Sequence, residues 1–329
     1  MKKPQFYNIN GIPSIEPKDD FWVANNGIDI AINANDITGD IDMNCIMLQH
    51  EIGNIIFEGI NKLHSKQAGM QMWIPYAGID GDLKVTKEQF EILINNYGKN
   101  EDLNKLLYYY DVSNLIGTFQ NSVQETRTLF CQFYEELNTK TFMLAPNPID
   151  LNGVMFASGR LVTSLFSKVN HLFISLYSQL DFLAKIAYEI ENLPSNFESY
   201  PKLKSAKILF GDSKKTKMHE LENTVFEKSI KNIKLIQTLR NEIVHNASFE
   251  NIPKVFQHFE NNIMIEKFIF LPDFDEDGII KTFKSRKRFF GMDIKLNQIL
   301  PELIFDLWKR QLETISILKK TVGNNVYKK

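Results

Sequence analysis

Between Leu161 and Glu191 the chain reads LVTSLFSKVNHLFISLYSQLDFLAKIAYEIE, with apolar residues at Leu161, Leu165, Val169, Leu172, Leu176, Leu180, Leu183, Ala187 and Ile190. Spacings of three and four put these on one face, so the segment predicts a single long bundle helix. Its polar residues Ser175, Ser178, Asp181 and Lys185 also recur at three and four, which makes a narrow stripe rather than a scattered solvent face. A second amphipathic helix is predicted from about His219 to Asn246, with Phe226, Ile230, Ile233, Leu239 and Ile243 as its core face. Upstream of it, Pro201 can open and Gly211 can close a short helix over 201 to 210, with Leu203, Ile208 and Leu209 inward. After Pro253 the period changes. Ile263 to Leu271 alternates, Asp277-Gly278 is a hairpin signal, and Ile279 to Phe290 can return as the second strand, which predicts a β-hairpin insertion near 261 to 291. The chain closes on an amphipathic helix marked by Leu303, Leu307, Ile315 and Leu318, with Pro301 at its first turn or kinking it.

The first half reads as mostly helical. Helices are predicted over 43 to 66, 87 to 97, 101 to 109 and 112 to 138, punctuated by Asn- and Gly-rich turns, with short strands around Trp22 to Ile32 and Met70 to Ile74. Thr86-Lys87-Glu88-Gln89 is a capping box, because the Thr hydroxyl and the Gln side chain can satisfy amides that the first helical turn leaves unpaired. Ala145-Pro146-Asn147-Pro148 forbids helix continuation and sets the predicted junction at 145 to 152. The resulting class is mainly α: a mostly helical domain over 1 to 150, then a helical bundle over 151 to 329 that carries the hairpin.

Composition refines this picture. Hydrophobic residues make up 43% and charged residues 24% of 329, an ordinary globular balance. MKKPQFYNINGIP is too interrupted by Pro and Asn for a signal peptide, and no apolar run approaches a membrane span, so a cytoplasmic protein without membrane contact is expected. Cys45 and Cys131 alone argue against a disulfide scaffold and a zinc site. Net charge is -2, yet residues 1 to 150 hold 11 Lys and Arg against 20 Asp and Glu, whereas 151 to 329 hold 27 against 20. A cationic second half suits a polyanionic partner.

Chemistry concentrates in Arg240-Asn241-Glu242-Ile243-Val244-His245-Asn246. Arg presents a planar fork of donors that matches phosphate oxygens, and His can take and give a proton near neutral pH. On a helix Asn241 and His245 share a face, while Arg240 lies roughly 140° from His245. Glu242 is expected to point elsewhere. The bland alternative is a surface cation followed by a helix C-terminal cap at His245-Asn246. Other motifs fail. Asp273, Asp275, Asp277 and Gly278 begin a calcium loop, but Lys284 stands where a bidentate Glu is required. His50-Glu51 begins a zinc-protease helix, but Asn54 fills the second His position. No glycine-rich phosphate loop is present.

The string LRNEIVHNAS resembles the RNA-cleaving signature of the HEPN superfamily, in which an Arg, commonly followed by a polar residue, precedes a His by four to six positions near a helix end. YSQLDFLAK in the long helix is similar to the first helix of HEPN proteins of the abortive-infection type, and the likeness spans roughly 155 to 322. It implies a HEPN-like antiparallel helical bundle and a metal-independent endoribonuclease without cofactor, leaving 2',3'-cyclic phosphate and 5'-hydroxyl ends. Arg240, Asn241 and His245 are then catalytic, with Asp181 and Ser178 in support. Lys214, Lys215, Lys217, Arg286, Lys287 and Arg288 are candidate RNA-backbone contacts. The resemblance further implies a homodimer with a shared cleft, a regulatory protein or antitoxin as partner, and a toxin or phage-defence role. The competing reading is a catalytically silent module that binds RNA, a nucleotide or a protein.

Overall fold

The computed structural model describes residues 5–17, 20–25, 30–32, 37–71, 73–144, 150–211 and 221–326. Among these the chain is mainly α. Strands β1 (Gln5–Tyr7), β2 (Pro13–Ser14), β3 (Val23–Asn25) and β4 (Ile30–Ile32) precede helices α1 (Ile37–Phe57), α2 (Ile60–Ala68), α3 (Trp73–Tyr76), α4 (Lys87–Tyr97) and α5 (Glu101–Thr139). Then come β5 (Gly153–Ala157), α6 (Arg160–Glu191), a 3-10 turn at Ser205–Lys207, α7 (Lys231–Asn246), β6 (Val255–Glu260), β7 (Ile263–Phe268) and α8 (Leu296–Val326). None of the described helices is long and apolar enough to cross a membrane.

Local signals place several elements. Thr86 accepts from the Gln89 amide at 3.2 Å and the Gln89 side chain accepts from the Thr86 amide at 2.9 Å, so the capping box starts α4 at the expected residue. The Leu161 to Glu191 pattern forms α6, with Leu165, Val169, Leu172, Leu176, Leu180, Leu183 and Ala187 buried and Leu161 exposed. Predicted helices 101 to 109 and 112 to 138 are one 39-residue helix, α5. The predicted helix 43 to 66 is instead two, because Glu58 (φ 54) and Gly59 (φ 136) leave the right-handed region between α1 and α2. Around Met70 to Ile74 the chain makes the short helix α3 rather than a strand.

Three expectations in the second half shift. The segment 201 to 210 is irregular apart from its 3-10 turn, and of its three predicted inward residues Ile208 is buried while Leu209 is 56% exposed. The motif helix begins at Lys231, not near residue 219; Asn223 (φ 58) and Ser229 (φ 61) adopt left-handed conformations that interrupt a helix, and residues 212 to 220 lie outside the described residues. The hairpin is displaced toward the N-terminus. Ile263–Phe268 pairs with Val255–Glu260 rather than with 279 to 290, through a turn in which Asn261 (φ 50) and Asn262 (φ 67) both carry positive φ. That is the backbone of a turn matched to strand twist, which Asn tolerates. Downstream, Phe274 and Ile280 form only an isolated bridge around Asp277-Gly278.

By Cα proximity the chain divides into two compact units, each drawing on both sides of residue 150. The first comprises Met1–Thr38, Ser122–Ser178 and Glu227–Lys309; the second comprises Gly39–Asn121, Gln179–Phe226 and Arg310–Lys329. The charge contrast between halves therefore does not map onto the units, each of which is close to neutral.

The first unit holds a four-stranded antiparallel sheet in the order β2-β1-β3-β4, a three-stranded antiparallel sheet in the order β5-β6-β7, and an aromatic core. In that core Phe21, Phe130, Tyr134, Phe305 and Trp308 meet at ring separations of 4.8 to 6.1 Å. Pro301 sits inside α8 and has no amide hydrogen, so the carbonyl four residues earlier, Asn297, loses its helical donor. The Tyr134 hydroxyl donates to that carbonyl at 2.6 Å in place of the missing amide, and Pro301 lies beyond the first turn of α8, not within it as one reading of the sequence allows. Lys267, on β7, is buried and donates to the carbonyls of Leu137, Asn138 and Lys140 at 3.0 to 3.2 Å, capping the C-terminus of α5.

In the second unit Ile74, Leu103 and Leu107 form a cluster packed by Met70, Trp73, Phe90, Leu93 and Ile94. The buried Glu189 carboxylate accepts from the Tyr108 hydroxyl at 3.1 Å and the Ser205 amide at 2.7 Å, so its charge is met by two donors.

Candidate active site

The site is built on the last two turns of α7. Ile233, Leu235, Ile236, Leu239 and Ile243 bury one face of this helix, which leaves Arg240 and Asn241 half-buried at its edge and Val244, His245 and Asn246 exposed at its end. The helix stops because Ala247 takes a left-handed conformation (φ 63, ψ -20), so the left-handed position falls one residue beyond Asn246. The end is fastened to α6 at two points. Asn170 of α6 donates to the Ala247 carbonyl at 3.3 Å, and Phe249 stacks on Phe166 of α6 at 5.3 Å.

Arg240 turns toward its neighbours. Its guanidinium carbon lies 5.1 Å from the Tyr177 ring centroid, and Nη1 donates to Asn241 Oδ1 at 3.0 Å. Tyr177, on α6, in turn accepts from Gln237 Nε2 at 3.4 Å, one turn before Arg240. The stack orients a cation without consuming all its donors, since a guanidinium carries five N–H groups. Because Asn241 and His245 share a face, the Arg240–Asn241 bond narrows the angular gap that the bare helix imposes. No hydrogen bond or ion pair engages His245 among the described residues, so its imidazole is available to solvent and ligand.

The remaining sequence candidates are dispersed. Lys287 pairs with Glu242 at 2.6 Å, and Glu242 also accepts from Asn246 at 3.1 Å, which ties the acid away from Asn241. Arg288 donates to the carbonyls of Phe249 and Ser248 at 3.2 and 3.0 Å and to the Asn251 side chain, clamping the loop after α7. Lys287 and Arg288 thus hold the motif end in place, while Arg286 is exposed in a tight turn bridged to Phe283. Lys214, Lys215 and Lys217 lie outside the described residues. Ser178 donates to the Ile174 carbonyl of its own helix at 2.9 Å, and Asp181 accepts from the Phe210 amide at 2.8 Å. No family model, curated protein or solved structure matches the chain.

Tyr177 and Gln237 were not singled out in the sequence, although both left a signal. Gln237 is three residues before Arg240 on the same helical face, and Tyr177 belongs to the polar-rich flank of α6 that includes Ser178 and Asp181. On another face of α6, His171 lies 3.3 Å from Glu125, which also accepts from Ser175 at 3.2 Å. Among the described residues no group of three His, Cys, Asp or Glu side chains is gathered for a metal ion. Cys45 and Cys131 are buried free thiols.

Proposed function

We propose that this chain is a HEPN-like bundle protein that cleaves RNA as a metal-independent endoribonuclease. The observation that carries the reading is the pairing of a stacked, asparagine-bonded Arg240 with an unengaged His245 on the final turns of one helix. In this reaction the ribose 2'-oxygen attacks the adjacent phosphorus, the P–O5' bond breaks, and a cyclic phosphate forms. His245 accepts the 2'-hydroxyl proton, and a proton is returned to the departing 5'-oxygen. Arg240 stabilises charge that builds on the phosphoryl oxygens, and Asn241 orients the phosphate or the imidazole. A homodimer that sets two α7 ends face to face supplies a second His245 as the acid. Exposed Arg286 is a candidate backbone contact in the same reading.

The competing reading is a catalytically silent module binding RNA, a nucleotide or a protein partner. It draws on the same stack, since Arg240 resting on Tyr177 and Asn241 is a cation already partly satisfied. Incubation of the full chain with mixed RNA in excess chelator decides between them. Cleavage with cyclic phosphate ends, lost in Arg240→Ala and His245→Ala chains whose melts stay near the parent, is the expected outcome. Magnesium-dependent cutting, 3'-hydroxyl ends, or no cutting defeats the nuclease reading. Light scattering reads the oligomeric state, and mixing the two inactive variants tests whether clefts are shared. A strictly monomeric active enzyme rules the shared cleft out.

A further inference from the structure

The second compact unit contains a cavity of about 280 Å³ that plays no part in the reading above. Helix α1 contributes Gln49, α3 contributes Tyr76, and α5 contributes Tyr109, Tyr110, Ser113 and Asn114. Among the described residues none of its lining side chains carries a charge. Its walls are aromatic: Tyr76 meets Tyr110 edge-on at 4.8 Å, and Tyr110 meets Tyr109 at 5.6 Å. The Tyr110 phenol is engaged, because Gln67 Nε2 donates to its hydroxyl at 3.0 Å.

Two amides are left with unused capacity. Gln49 Nε2 donates to the Ser113 carbonyl at 3.2 Å, which leaves its Oε1 open, and the Asn114 side chain has no hydrogen-bond partner among the described residues. An amide presents one donor beside one acceptor in a plane. That edge is complementary to the amino group and ring nitrogen of adenine. A phosphate-bearing group finds no cation here, and a sugar finds no carboxylate to form the charge-assisted bonds that strengthen hydroxyl recognition. The volume lies just below the usual range of ligand cavities, about 300–1,000 Å³, and suits a single heterocycle.

We propose that this cavity binds one unstacked adenine base, stacked on Tyr76 and bonded through Asn114 and Gln49. The base can arrive as a free nucleoside or as part of a single strand, and the inference does not depend on the Arg240 site. Calorimetric titration of the full chain with adenosine, and separately with a 2'-O-methylated oligoadenylate that 2'-hydroxyl attack cannot cleave, distinguishes the sources. Expected is one site per chain for at least one of the two ligands. Its affinity should fall about tenfold or more in Tyr76→Ala and in Asn114→Ala, and likewise when inosine replaces adenosine or an oligoinosinate replaces the oligoadenylate. Tyr76 and Asn114 are both exposed, so circular dichroism of these variants should match the parent. Failure of both ligands to bind, or binding that ignores both substitutions or the missing amino group, overturns the proposal.

Discussion

Gly278 is the residue on which the placement of α7 can be tested most sharply. Its φ of +82 lies in the left-handed region, and a Cβ added there would stand 2.5 Å from the Lys231 carbonyl oxygen, 3.0 Å from the Leu235 amide nitrogen and 3.2 Å from Leu235 Cβ. The first two are backbone atoms of the first turns of α7, so no side-chain rotation relieves the clash. Gly278→Ala carries a left-handed penalty of about 1–2 kcal/mol. It also carries an overpacking penalty of about 1–3 kcal/mol, offset by about 0.4–1 kcal/mol of lost unfolded-state entropy. The central expectation is a destabilisation of about 3 kcal/mol, which corresponds to a fall in Tm of about 6–12 °C if each kcal/mol moves the midpoint 2–4 °C. Calorimetry on parent and variant measures it. Gly117, in the middle of α5 with nothing within 4 Å of a built Cβ, is the control. Gly117→Ala should raise stability by about 0.5–1 kcal/mol. A Gly278→Ala midpoint within about 1 °C of the parent would show that residues 275 to 280 do not seat against α7, and the support of the Arg240 site would have to be redrawn.

Two further predictions concern the first unit. Tyr134→Phe removes the hydroxyl donor that replaces the missing Pro301 amide at the Asn297 carbonyl, and should cost about 1–3 kcal/mol by denaturant titration; an unchanged midpoint refutes that role. Lys267 provides a pH test, because burial pushes its ammonium down from 10.5 to about 8. Between those values the unfolded chain binds the extra proton, so stability from this group rises as pH climbs through the window and is unaffected well below it. The parent should gain stability relative to Lys267→Met between pH 8 and 10.5, and a constant difference across that range excludes the mechanism.

What the sequence determined by itself was local. The Thr86–Gln89 box set the start of α4 because its two hydrogen bonds close within four residues. The three-and-four spacing set α6 and the buried stripe of α8, since a helix face needs no partner to be defined. The RNEIVHN spacing placed Asn241 and His245 on one face for the same reason. Tertiary structure decided where signals competed. Asp277-Gly278 was the turn signal read in the sequence, but the hairpin formed at Asn261-Asn262, where Val255–Glu260 offers a strand whose Val255, Gln257 and Phe259 are buried. Gly278 serves instead to let a loop approach the backbone of α7. Lys287 and Arg288, legible only as a basic run, became an ion-pair partner and a loop clamp because α7 ends beside them. Arg240 could have pointed along several directions from its helix. Tyr177, distant in sequence, supplies the aromatic face that fixes one of them, and no periodicity along a single helix encodes a contact made between two.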